Sequence, residues 1–240
     1  MTVIDRSNRN AWVNAVVTDD DVAADVRQPD LFKSLTEIEL DTVLARARLR
    51  KLTSDETLFL QGATHEGVFA IKSGMIRTYY SGPSGREITL AYWGPGNLVG
   101  TPEVLSKSVH VWSGTAVGPT EVYFFSGENM RQLISEIPRF AVAMIEALEF
   151  KGKCFSTLIH MLGTNSVPER LCLLLRNLVA IHGVEQKNGI VLGAPFTHEA
   201  LAQMLGCSRQ WVTISLDRLQ TKGIVKVGNR SLLIRRPDLL

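Results

Sequence analysis

The stretch Thr197–Gly223, THEALAQMLGCSRQWVTISLDRLQTKG, constrains the fold of this chain more than any other. Thr197 can cap a first helix whose Leu201, Met204 and Leu205 recur at helical spacing. Gly206 permits a tight turn, and Ser208 can cap a second helix with Val212, Leu216 and Leu219 on its inner face. Two short amphipathic helices meeting at a glycine form a helix-turn-helix. Outside it stand Arg209, Gln210, Thr213, Asp217 and Arg218. The following IVKVGNRSLLI reads as two strands about a Gly-Asn turn, a wing. Side chains with directed hydrogen-bonding groups at the start of a second helix suit the major groove of DNA. Arg209 can donate two bonds to guanine O6 and N7, and Gln210 can pair bidentately with adenine N6 and N7. Thr213 stands beside them as a third base contact, able also to bond phosphate. Thr197, Ser208, Arg218 and Lys222 are expected on the backbone, where they set register without reading sequence. The charge agrees: the chain carries only +2 overall, yet Arg209, Arg218, Lys222, Lys226, Arg230, Arg235 and Arg236 crowd its end against Glu199, Asp217 and Asp238.

Upstream the pattern changes several times. Residues 1–28 are polar and aperiodic, and read as a tail. From Leu31, the spacing of Leu35, Ile38, Val43, Leu44 and Ala47 predicts a helix pair running to about Leu49. Between Lys51 and Glu128 come short apolar runs such as TLFL, EITLAYW and EVYFF, separated by glycine-rich turns. They predict an antiparallel barrel or sandwich. Arg139–Leu162 is free of proline and carries two heptad seams. One is Phe140, Met144, Ala147, Lys151, Cys154, Leu158 and Met161; the other is Ala141, Ile145, Leu148, Gly152, Phe155, Ile159 and Leu162. Two apolar seams require two partners. The first is assigned to a second copy of the chain, with Lys151 as the polar break that sets register, leaving the other for the barrel. In GTNSVPER, Gly163 can end this helix, and Ser166, Pro168 and Glu169 supply a capping box for the next, which ends at Gly183. A hairpin is expected around KNGIVLGAPF. The resulting segments are a tail (1–28), a β-rich effector domain (29–136), a dimerisation helix with hinge (137–164) and a DNA-binding domain (165–240).

With its β-rich half, long helix, SVPER hinge and LAQMLGCSRQWVTISLDRLQTKGIV, the chain resembles the cyclic-AMP receptor and fumarate-nitrate regulator (Crp/Fnr) family of bacterial transcription factors. The resemblance covers about Leu31 to Ile234 and is closest at Gly206–Arg209 and Leu216–Ile224. It implies an α+β fold with an N-terminal cyclic-nucleotide-binding-like β-barrel of jelly-roll (double-stranded β-helix) type, a long dimerisation helix and a C-terminal winged helix-turn-helix. It also implies a homodimer on a two-fold symmetric double-stranded DNA operator, RNA polymerase as a further partner, and a small-molecule effector acting through the long helix. This chain departs from the family pattern at two reading positions. Gln210 replaces a usual Glu and Ile214 a usual second Arg, so the family's half-site is not carried over.

Cyclic-nucleotide binders of the family place Glu after a glycine for the ribose and Arg before Ser or Thr for the phosphate. Here those positions fall to Thr101 and His110. Neither His110 nor Lys107 replaces arginine's bidentate fork, so tight cyclic-AMP binding is not expected. The effector is expected to be a less charged small molecule contacted by Thr101, His110, Tyr79, Tyr92, Trp93 and Trp112, or to be absent. No cofactor is expected, and without a cysteine cluster ahead of the barrel an iron-sulfur centre is excluded. A haem-based gas or redox sensor is the alternative, with His65, His110 and His160 as candidate axial ligands.

Composition bounds the rest. A chain of 240 residues at 45% hydrophobic content can bury a substantial core. It has no apolar run of the roughly 18 to 20 residues that span a membrane, and MTVIDRSNRNAW lacks the apolar centre of a signal peptide. The three cysteines are scattered, so the cytoplasm is the expected compartment. A cupin-like enzyme would need clustered His and Glu ligands. The five histidines are isolated, and nucleophile elbow, P-loop and HExxH patterns are missing, so no catalytic or metal residue is assigned.

Overall fold

The computed structural model describes residues 29–100, 108–193, 197–228 and 231–240. The expected tail, Thr101, Lys107 and the Asn229–Arg230 tip of the wing lie outside them. The chain divides inside its longest helix, with Lys153 closing a β-rich unit and Cys154 opening a second one.

The β-rich unit begins with α1 (Glu37–Ala45), where Thr36 and Glu39 form a capping box. Only this one helix forms where a pair was expected. Arg48 already opens strand β1 (Arg48–Leu52), which pairs antiparallel with β8 (Thr120–Ser126), Leu49 opposite Tyr123 and Lys51 opposite Glu121. The ladder overrides the helical spacing because pairing with β8 satisfies the backbone of this run. Glu121 sits between Lys72 (2.9 Å) and Lys51 (3.2 Å). Hydrogen bonds, chiefly from Lys72, hold its carboxyl below the usual range.

Between β1 and β8 run β2 (Thr57–Phe59), β3 (Gly67–Ser73), β4 (Ile76–Ser81), β5 (Glu87–Trp93), β6 (Leu98–Val99) and β7 (Ser113–Ala116). They assemble two four-stranded sheets, ordered β1-β8-β3-β6 and β2-β7-β4-β5. β3 reads GVFAIKS and is buried over its first five residues, as a central strand requires. Ser126 caps α2 (Gly127–Glu136), and Pro138 opens α3 (Pro138–Thr164), 27 residues and about 40 Å long. Leu31, Val43, Val68, Ala70, Phe125, Met130, Leu133, Phe140, Met144 and Ala147 close one core cluster between strands and helices. Gly163 remains helical, and α3 runs one residue beyond it.

The second unit contains α4 (Val167–His182), β9 (Val184–Gln186), β10 (Gly189–Gly193), α5 (His198–Leu205), α6 (Arg209–Thr221), β11 (Val225–Val227) and β12 (Ser231–Ile234). Its four strands are ordered β11-β12-β10-β9. The β11–β12 wing is therefore continuous, through β12, with the β9–β10 hairpin. Leu171, Leu174, Leu175, Leu201, Leu205, Val212, Leu216 and Ile234 are buried. Among the described residues, no helix is long and apolar enough to cross a membrane.

Candidate functional site

Two caps and a left-handed glycine set the angle between α5 and α6. The Thr197 hydroxyl accepts from the Ala200 N–H and the Ser208 hydroxyl from the Trp211 N–H. Gly206 lies at φ +61°, a region that would strain a side chain. Val212 and Leu216 are buried and Leu219 partly so. The face opposite them is open: Arg209, Gln210, Ile214, Asp217, Arg218 and Lys222 are all exposed. Arg209 and Gln210 occupy the first turn, where unpaired N–H groups of the helix also point outward.

Thr213 differs from expectation. It is partly buried, its hydroxyl donates to the Arg209 carbonyl (3.1 Å), and His198 Nδ1 lies 2.9 Å away. A hydroxyl has one proton, so the His198 ring is the donor of the second bond. Thr213 thus braces α6 against the start of α5, and its one hydroxyl proton is engaged within the protein. At the far end of α6, Gln220 Oε1 accepts from the Val227 N–H at 2.8 Å, holding the wing to the helix.

The hinge after α3 is a fastened joint. Glu169 accepts from the backbone N–H and the hydroxyl of Ser166, and these bonds lower its carboxyl pKa. The partly buried Arg170 donates to the carbonyls of Leu162, Asn165 and Leu205 at 3.0 to 3.1 Å. One guanidinium therefore satisfies the carbonyl ends of α3 and α5 together, where a cation also meets the negative end of each helix dipole. Sequence reasoning did not single out Arg170. Its only signal was a basic residue in the first turn of α4, where the helix dipole disfavours a cation.

In the barrel, His110 is buried, stacked on Phe59 (ring centroids 4.3 Å apart) and in tilted contact with His65 (4.4 Å). Phe69 is also stacked with Phe59, at 6.0 Å between centroids. The close packing depends on Gly114, since an added Cβ there would lie 2.6 Å from the Phe59 ring. Trp93 is fully buried, donates to Thr78 Oγ1 at 2.9 Å, and carries the Lys151 ammonium 3.4 Å from its ring centroid. Tyr92 is buried, whereas Tyr79 is partly exposed under the Arg77 guanidinium and Trp112 is partly exposed. His160 is exposed on α3.

The first α3 seam, expected against a second copy, is not open. Phe140, Met144, Ala147, Cys154, Leu158 and Met161 are buried within the single chain, and Lys151 packs on Trp93. They are core, not an interface with a second copy. The other seam faces out: Ile145 is 65% and Ile159 70% exposed, with Leu148 and Gly152 also exposed and Ala141, Phe155 and Leu162 partly so. Heptad spacing marks both seams equally. Only tertiary packing distinguishes them.

Comparison with known proteins finds the same two-part order. A cyclic nucleotide-binding domain model matches residues 49–136 and a Crp-like helix-turn-helix domain model residues 169–240. The cyclic AMP receptor protein of Thermus thermophilus is 26% identical, over 88% of this chain and 94% of the relative. The chain belongs to the Crp/Fnr family. The global nitrogen regulator of a Nostoc species is 24% identical over 78% of this chain and 84% of its own. The solved structure of the c-di-GMP responsive global regulator CLP of Xanthomonas campestris superposes with a TM-score of 0.76 at 20% identity, covering 83% of this chain and 99% of CLP; that likeness concerns the fold. This Crp/Fnr protein is accordingly a DNA-binding transcription regulator of α+β fold, with a β-rich N-terminal domain and a C-terminal helix-turn-helix, and its relatives are regulators, not enzymes.

Proposed function

We propose that this Crp/Fnr regulator works as a homodimer, presenting two copies of α6 to a two-fold symmetric operator. The observation that carries this reading is the exposure of Arg209 and Gln210 together on the first turn of a helix whose other face is buried. Arg209 reads guanine and Gln210 adenine. Thr197, Ser208, Arg218 and Lys222 hold phosphates, and Thr213 positions the reading turn. The dimer forms through Ala141, Ile145, Leu148, Gly152, Phe155, Ile159 and Leu162, whose four-three spacing is that of a coiled-coil seam and whose small Ala141 and Gly152 let two helices approach closely. RNA polymerase is a partner of the bound dimer, which acts in the cytoplasm.

The Thermus relative is named for cyclic AMP and the Xanthomonas one for c-di-GMP. In this chain the position of the phosphate-binding arginine is His110, buried between Phe59 and His65. An anionic phosphate finds no guanidinium fork there, which supports a less charged effector or none. Recovery of bound sequences from random DNA tests the reading. An inverted repeat is expected, with half-sites about one helical turn apart or a multiple of it. Recovery of unrelated sequences, or of a single half-site, would overturn it.

A further inference from the structure

On α6 every apolar side chain but one is wholly or partly turned to the core. Val212 and Leu216 are buried and Leu219 and Trp211 partly buried, while Ile214 is 44% exposed. It lies four residues after Gln210 and three before Asp217, so all three share one helix face. This face is the one that carries the base-reading pair. An aliphatic side chain there cannot bond a phosphate or any donor or acceptor on a base edge. In the major groove it has one complementary surface, the C5-methyl group of thymine. Isoleucine suits that contact because its β-branch fixes χ1 and so presents a nearly rigid apolar surface. Its Cα stands about 6 Å along the helix axis from that of Gln210, which places its contact about one to two base-pair steps from the base that Gln210 reads.

We infer that Ile214 is a specificity-determining residue that selects thymine by its methyl group. This rests on the proposed placement of α6 in the major groove and adds a third reading position, one that recognises a pyrimidine methyl where Arg209 and Gln210 recognise purine edges. Neighbouring Asp217 reinforces the choice, because a carboxylate on the same face repels phosphate and leaves the apolar side chain to make the contact at that level of the groove.

The test is methyl deletion on the DNA side, which leaves the protein untouched. In an operator recovered from random DNA, each thymine of one half-site is replaced in turn by deoxyuridine, and binding is measured with the full chain and with Ile214→Ala. The full chain should lose about three- to tenfold in affinity at one thymine position, the effect of one buried methyl. Ile214→Ala should be indifferent to the same replacement, and Ile214→Val should retain part of the sensitivity. If deoxyuridine has no effect at any position, or if Ile214→Ala remains as sensitive as the full chain, the inference falls while the DNA-binding reading stands. If no preferred sequence is recovered at all, both fall together.

Discussion

A guanidinium that donates two bonds to one base edge carries sequence information, whereas an ammonium beside a phosphate contributes charge. Arg209 and Lys222, both exposed at opposite ends of the same helix, should therefore fail differently when truncated. Arg209→Ala is expected to weaken binding to the selected operator by about 5- to 150-fold per half-site, corresponding to about 1–3 kcal/mol, and to erase preference at one position per half-site. Lys222→Ala should weaken all sequences alike and reduce the slope of log affinity against log salt by about one unit per half-site. Anisotropy titrations over a salt series distinguish the two. The reading pair was legible because the caps at Thr197 and Ser208 and the glycine at 206 fix which residues begin the second helix. Thr213 was not: its partner His198 lies on another helix, and the bond between them exists only once α5 and α6 are packed.

At the scale of elements, α3 is the informative case. Ile145→Glu should leave a folded chain that sediments as a monomer, because that side chain is exposed in the single copy. Leu158→Glu, at 4% exposure, should instead lower stability by several kcal/mol, since a carboxylate would be buried without a partner. Sedimentation together with circular dichroism separates these outcomes. The cap of α4 gives a pH signature. Bonds from Ser166 hold Glu169 below its ordinary value of 4.5, so the stability it contributes is present above that value and is lost as pH falls through the lowered folded pKa. Glu169→Gln should therefore lose less thermal stability than the parent chain on acidification below about 4.5. The strand at Arg48 shows the opposite limit of local reading. Its sequence fits a helix as a continuation of α1, but β8 supplies a pairing partner far along the chain, Phe124 opposite Arg48.

For the whole molecule, regulation requires a ligand that binds two arrangements of the chain with different affinity; equal affinity shifts nothing. The barrel's ring cluster of Phe69, Phe59, His110 and His65 includes the residue proposed to stand in place of the phosphate-binding arginine. Calorimetric titration with cyclic AMP should accordingly show no binding in the micromolar range, and a micromolar dissociation constant would contradict the reading of His110. Arg170 joins the end of α3 to the end of α5 through three carbonyls. Local sequence rules decided the helix-turn-helix, its caps, the strand-rich domain ahead of it and the presence of two apolar seams on one long helix, because these depend on residues within a few positions of one another. Only the tertiary structure decided which seam is core and which is open, that Lys151 lies on Trp93, and that His65 and His110 meet. Each of these depends on which distant surface packs against a given face, and no spacing along the chain specifies that.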